Sequence, residues 1–273
     1  MKPFLSILML VGLPIAAWGP GGHRLSAEAS LRALPPELRA WYSGQETGFR
    51  EAALEPDRQK AFDPEEDSRH HLHTEVYGGP AGVPFEAQAA VGRLGAFAFL
   101  RRGQLPWAIG DRYRKLVEAF RAKDGARVVT ESGWLSHYVS DAQVPLHCTR
   151  NSNGKETAQK GVHKRWEDGL VDCNVTSLPS PRMAQAPTNP TRGPWAWIAE
   201  AHALLPALLA ADEQASRDTD YGKPGESRYW ARFWTLQQGT VTQQLQRSAE
   251  RTADLLLAAW IEAGRPAVPA ARP

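Results

Sequence analysis

Two short segments carry residue types that can share a metal ion. In "HYVSDAQVPLH", His137 and Asp141 stand four residues apart, on one face of a helix, and His147 follows just after Pro145 ends that helix. Sixteen residues later, "HKRWE" repeats the device, with His163 and Glu167 again four apart. Imidazole nitrogen and carboxylate oxygen are the usual donors to zinc and to related transition metals. One such pair alone is commonly a surface contact or a core histidine with a capped nitrogen. Two pairs plus an extra histidine give five donors, more than one zinc needs and about right for two or more.

Two upstream stretches add candidates. "EPDRQKAFDPEEDSRHHLHTEVYG" holds His70, His71 and His73 behind a run of acids. The acid run reads as solvated loop, and the histidines as either ligands or a polar loop. "WGPGGH" places Trp18 and His23 with four residues between them, just after an apolar N-terminal run. If the chain is cleaved after Ala17, Trp18 gains a free α-amine, which once deprotonated chelates a metal together with its own carbonyl oxygen. Otherwise "GPGGH" is a flexible lead-in.

From Trp18 to about Glu167 the pattern resembles the zinc-dependent phospholipases C and the single-strand-specific nucleases of fungi and plants, which share an all-helical fold with a trinuclear zinc site. The resemblance implies three Zn²⁺ ions. Trp18 (amine and carbonyl) and His23 would hold one, with Asp141 bridging. His70, His137 and Asp141 would hold the second, assisted or faced by Asp57, and His147, His163 and Glu167 the third. His70 is chosen over His71 and His73 because the family's ligand comes directly after the short acidic loop. Asp57 lies thirteen residues before His70, near the family's separation, whereas Asp63 and Asp67 are too close.

The implied set leaves a net positive cluster, since three carboxylates (Asp57, Asp141, Glu167) oppose six charges from three Zn²⁺ ions, which suits an anionic phosphodiester. Asp57 is the candidate to hold or deprotonate the attacking water. Arg58 and Lys60 are candidates to stabilise charge on the phosphate, with solvated surface charges as the alternative. The resemblance implies a secreted or periplasmic phosphodiesterase, phospholipase C-like, with a nuclease or nucleotidase as the alternative. Glu167 matches the phospholipases, the short Trp18 to His23 spacing the nucleases. A secreted zinc-binding protein without turnover is a third reading, in which the metal sites would be closed.

Helices must position these residues. Apolar positions recur at helical spacing in "HRLSAEASLRAL", "PPELRAWY", "FEAQAAVGRLGAFAFLRR", "WAIGDRYRKLVEAFRA", "GWLSHYVSDAQ", "WAWIAEAHALLPALLAA" and from about Tyr229 to Ala263. No run alternates as a strand would, so the fold class is all-α, a single helical domain over 18–264 with no internal repeat. Residues 1–17, with Lys2 before a short apolar run ending in small residues, read as a secretory signal, and 265–273 as a disordered tail. "TRNSNGKETAQKG" and "NVTSLPSPRMAQAPTNPTRGP" are long polar loops, the second a candidate lid.

The formal charge of the 273-residue chain is +2, and losing Lys2 with the signal keeps it near neutral. Charge alone therefore advertises no nucleic-acid track. Cys148 and Cys173 are an even pair that an oxidising compartment would allow to bridge. The ten tryptophans read as core and do not discriminate between substrates, and His202 reads as an ordinary core or surface histidine. No segment after the signal is apolar enough to span a membrane, and the chain reads as a monomer that touches membrane only transiently.

Overall fold

The computed structural model describes residues 18–217, 219, 227–267 and 269. The expected signal segment, residues 1–17, lies outside them. Among the described residues there is no strand, and the architecture is all-α. No described helix is long and apolar enough to cross a membrane.

The N-terminal part is built from α1 (Pro20–Arg32), α2 (Pro36–Ser43), α3 (Glu46–Ala52), α4 (Glu55–Gln59) and α5 (Pro64–Asp67). Four of these five have proline just inside their first turn, where its missing N–H costs nothing and its fixed φ favours helix entry. Then come α6 (Ala87–Leu94), α7 (Ala96–Arg102), α8 (Leu105–Arg121) and α9 (Gly125–Asp141). The last third holds α10 (Val162–Lys164), a π turn over Arg165–Gly169, α11 (Leu170–Asn174), α12 (Gly193–His202), α13 (Leu205–Ser216) and α14 (Ser227–Glu262).

Two helical stretches that read as continuous in the sequence are broken. The segment from Phe85 to Arg102 divides at Gly95, whose φ of +79° lies in the left-handed region that glycine tolerates. The segment from Trp195 to Ala211 divides at Ala203–Leu204, where Pro206 opens α13 in its first turn.

α9 is the central element, packed on α8, α3, α14 and α1. Two apolar clusters meet along it. Leu135, Tyr138, Val139 and Ala142 belong to one, with Tyr42, Phe49 and Trp260. Val144, Leu146, Val162 and Trp166 belong to the other, with Trp18, Tyr229 and Phe233. The sequence candidates lie at this seam.

The long loop after α11 is not arranged as a lid. Its middle is fastened to the far end of α1, where Ala184 N–H donates to Ala33 O at 2.8 Å, and to α14, where Arg182 pairs with Asp254 at 2.6 Å. Ala33 is about 15 Å along α1 from His23 by helical rise. The two cysteines are not bridged either: Cys148 is buried and Cys173 exposed, and both are free. Beyond α14, Arg265 N–H donates to Trp260 O at 2.8 Å, and Trp260 Nε1–H to Pro266 O at 3.2 Å, so the start of the expected tail is tied to the helix.

Close approach of α3 to α9 depends on Gly133. A Cβ there would lie 2.4 Å from Ala52 Cβ and 2.7 Å from Ala53 N. This contact brings Ala53 O within 2.8 Å of His137 Nδ1. Gly133→Ala is expected to lower stability by about 1–3 kcal/mol through overpacking and to weaken metal retention. Denaturant unfolding and zinc titration of the variant would show both.

Candidate metal centre

The local chain folds to aim each donor inward. α9 places His137 and Asp141 one turn apart and ends at Asp141; a 3₁₀ turn over Pro145–Cys148 then delivers His147. The segment α10 and its π turn carry His163 and Glu167 on one face, both buried. α1 brings His23 in its first turn, α4 brings Asp57, and a 3₁₀ turn over Ser68–His70 brings His70.

Three donor groups result: His23 with His137 and Asp141; Asp57 with His70 and His137; and His147 with His163 and Glu167. In the first two, Asp141 Oδ1 is 3.6 Å from His23 Nε2, and Asp141 Oδ2 is 2.9 Å from His70 Nδ1 and 3.3 Å from His137 Nε2. Asp57 Oδ1 stands 3.8 Å from His70 Nδ1 and 3.7 Å from His137 Nε2, and Oδ2 4.0 Å from His23 Nε2. In the third group Glu167 meets His147 Nε2 at 3.2 Å and His163 Nε2 at 2.9 Å, and the two Nε2 atoms are 3.1 Å apart. Four donors at zinc bond lengths around one tetrahedral ion would be about 3.4 Å apart. The observed separations bracket that value.

Hydrogen bonding on the far side of each ring decides what faces the centre. His137 Nδ1–H donates to Ala53 O at 2.8 Å and His163 Nδ1–H to Ser152 O at 3.1 Å; His147 Nδ1–H donates closely to His70 O. A carbonyl can only accept, so each neutral ring turns an Nε2 lone pair inward. In the third group those lone pairs face Glu167, neither of whose oxygens accepts a hydrogen bond. With the rings neutral, lone pairs against carboxylate oxygens at about 3 Å are repulsive unless a metal ion, or a second proton on the ring, stands between them. Asp141 Oδ1 and both nitrogens of His23, all buried, also lack a hydrogen bond. Buried polar atoms without partners, converging from four elements, could hold metal ions.

Electrostatics point the same way. Burial would raise the pKa of Asp141, but His137 and His147 outweigh it and hold the carboxyl well below its usual range. For Asp57, burial is likewise overcome by His137, Lys60 and His23. Burial keeps His23 neutral, well below the ordinary histidine value, with His137 adding to it. Burial alone would also lower His147, yet Glu167 and Asp141 lift it to about 9, the site's negative charge calling for positive partners.

No family model and no curated protein matches this sequence.

Of the sequence candidates, Trp18 is fully buried beside the centre. Its Nε1–H donates to Ser140 O at 3.0 Å, and its ring lies 4.9 Å from that of Trp166. Lys60 reaches the site, its ammonium 2.5 Å from Asp57 Oδ1 and its side chain almost wholly buried. Arg58 does not. It is half-exposed and paired with Glu51 at 2.7 Å and Glu55 at 3.3 Å, because one residue along α4 from Asp57 points about 100° away from it. Asp63 caps α5 by accepting from Glu65 N–H at 2.9 Å, and the rings of His71 and His73 lie 4.9 Å apart, tilted by 33°, outside the donor groups.

One buried neighbour of the donor groups was hidden in the acid run that read as solvated loop. Glu66 is buried and touches Tyr138, Arg69 and His70. Its i, i+4 relation to His70, the same spacing as His137 to Asp141, was the available signal. Asp168, beside Glu167, has a half-buried carboxyl that burial, Glu167 and Asp172 push up to about 7.

Proposed function

We propose that the chain is a zinc-dependent phosphodiesterase of the phospholipase C type, acting on phosphoric esters after export and cleavage at Trp18. The observation that carries the reading is the convergence of three histidine and carboxylate groups, with Asp141 facing two of them. Nitrogen and oxygen donors at this spacing suit zinc better than the all-oxygen cages of calcium or magnesium. Trp18, once it begins the chain, would add its amine and carbonyl beside His23. His70, His137, Asp57 and Asp141 would hold a second ion, and His147, His163 and Glu167 a third.

Bound zinc supplies Lewis-acid polarisation of the phosphoryl group and lowers the pKa of water toward about 7. The chain's own residues do the rest. Asp57 reaches solvent while most of its neighbours are closed off; held ionised, it accepts a hydrogen bond from an incoming water and orients it. Lys60 pins Asp57 and places a fixed positive charge at the edge of the site, where phosphate oxygens gain charge in the transition state.

Apolar surface beside the centre supports a lipid substrate. Phe62, two residues after Lys60, is 89% exposed and Phe97 is 74% exposed. A cleft of about 340 Å³, lined in part by Pro64, His71, Phe97 and Leu100, opens next to the chain segment that carries His70. The nuclease reading keeps one argument, the short spacing from Trp18 to His23.

Zinc-loaded protein beginning at Trp18 is expected to release phosphocholine from phosphatidylcholine vesicles and to leave single-stranded DNA in a parallel reaction intact. Cleavage of DNA alone would assign the centre to a nuclease. No turnover of either, with zinc bound, would make the chain a zinc-binding protein.

A further inference from the structure

His70 is held differently from the other histidines of the centre. His137, His147 and His163 each give Nδ1–H to a backbone carbonyl and present Nε2. His70 presents Nδ1 instead, 2.9 Å from Asp141 Oδ2 and 3.0 Å from His137 Nε2. Its Nε2 faces Glu66 Oε1 at 3.4 Å, a side chain one helical turn earlier. A backbone carbonyl cannot be lost by substitution, whereas Glu66 can.

We infer that Glu66 is a positioning residue that selects the metal-ligating tautomer of His70. The carboxylate is 1% exposed and already engaged by two donors, Arg69 Nη1 on Oε2 at 2.7 Å and the Tyr138 hydroxyl in close contact with Oε1. Fixed as an acceptor on both oxygens, Glu66 can take only an N–H from its third neighbour; at 3.4 Å with no hydrogen bond formed, the carboxylate favours the proton on His70 Nε2 and the lone pair on Nδ1 through its charge. The competing tautomer is a real alternative here. With its proton on Nδ1, His70 would donate directly to Asp141 at 2.9 Å, satisfying both groups and closing the position an ion would take. Glu66 stands against that closure. Partners of this kind behind metal-bound histidines set ligand orientation and basicity.

The role reaches a second donor group. His70 O is the acceptor that fixes His147. The strand of contacts from Glu66 through His70 therefore touches both the Asp57 group and the His147 group, and Tyr138 ties it to α9 next to His137.

Glu66→Gln is the informative change. To keep an oxygen for Arg69, the amide must turn its NH₂ toward Tyr138 and His70, and His70 Nε2 then faces a donor and becomes an acceptor. The inference rests on the metal reading for affinity but not for tautomer, so two measurements separate them. Burial would lower the His70 pKa, but Asp141 and Glu66 outweigh it and favour the doubly protonated ring in the absence of metal. Long-range ¹H–¹⁵N spectra of metal-free protein are therefore taken on the alkaline side of the His70 titration, where His70 is expected to be protonated on Nε2 in the wild type and on Nδ1 in the variant. Zinc titration against a competing chelator is expected to show one ion weakened 10–100-fold in the variant, with the others unchanged. A wild-type His70 protonated on Nδ1 would overturn the inference even if the variant failed to fold. So would a folded variant that keeps the wild-type tautomer or the full zinc affinity. Wild-type protein that binds no zinc would instead remove the metal reading and leave the tautomer result standing.

Discussion

With zinc bound as proposed, stripping it with a chelator is expected to lower the melting temperature by at least about 15 °C and to reverse the way stability responds to pH. The first part follows from mass action. Each ion present at about 100 times its dissociation constant contributes about 2.7 kcal/mol, and for a chain of this size 1 kcal/mol corresponds to about 2–4 °C. The second part follows from the charges left behind. In the metal-free protein Glu167 and Asp141 outweigh burial and lift His147 from its ordinary value to about 9. Between about pH 6.5 and 9 the folded state then binds a proton that the unfolded state has released. Stability from this group is complete below pH 6.5 and is lost as the pH rises through 9. The loaded protein must behave in the opposite sense, because its histidines bind zinc only when deprotonated, so affinity and stability climb with pH over the same interval. Melting curves with and without chelator at pH 6, 7.5 and 9 check the claim. Parallel pH profiles, or a melting temperature indifferent to chelator, would sink it.

What the sequence disclosed about this centre follows the range of the physics involved. His137 with Asp141 and His163 with Glu167 are local relations, fixed by helical spacing, and could be read directly. The breaks at Gly95 and before Pro206 were also written in residue type, although apolar periodicity ran across both. Lys60 and Arg58 look alike as neighbours of Asp57, yet the turn of α4 separates them: position i+3 shares a face with Asp57 and position i+1 does not. That distinction was available from geometry alone. Glu66 was not legible as buried: Arg69 pairs with it locally at i+3, but Tyr138 reaches it from α9, a tertiary arrangement that an acidic run conceals. Counting cysteines left the pairing open. Cys148 is packed in the core with its thiol on Val144 O, and Cys173 points to solvent from α11, so parity carried no information about proximity.

Asp141→Asn is expected to abolish two of the three zinc positions at once and to lower hydrolysis by on the order of 10³-fold or more. Asp141 is fully buried and divides its oxygens between the two groups at shorter range than Asp57 does, Oδ1 3.6 Å from His23 and Oδ2 2.9 Å from His70 and 3.3 Å from His137. Asparagine keeps the shape, so the buried packing at the end of α9 survives, but it replaces one oxygen by an N–H donor and removes the charge. Whichever way the amide turns, one side of the bridge becomes a donor facing a histidine lone pair, and the remaining oxygen is a weaker ligand on the other. The group of His147, His163 and Glu167 has its own carboxylate and its own backbone anchors at Ser152 and His70, so it keeps its ion. Glu167→Gln should do the converse, emptying that group and sparing the other two. Metal analysis after dialysis should therefore return about one zinc per chain for Asp141→Asn and about two for Glu167→Gln. Equal losses in the two variants would mean that the three groups do not act as separable positions, and Asp141 would lose its place as the bridge.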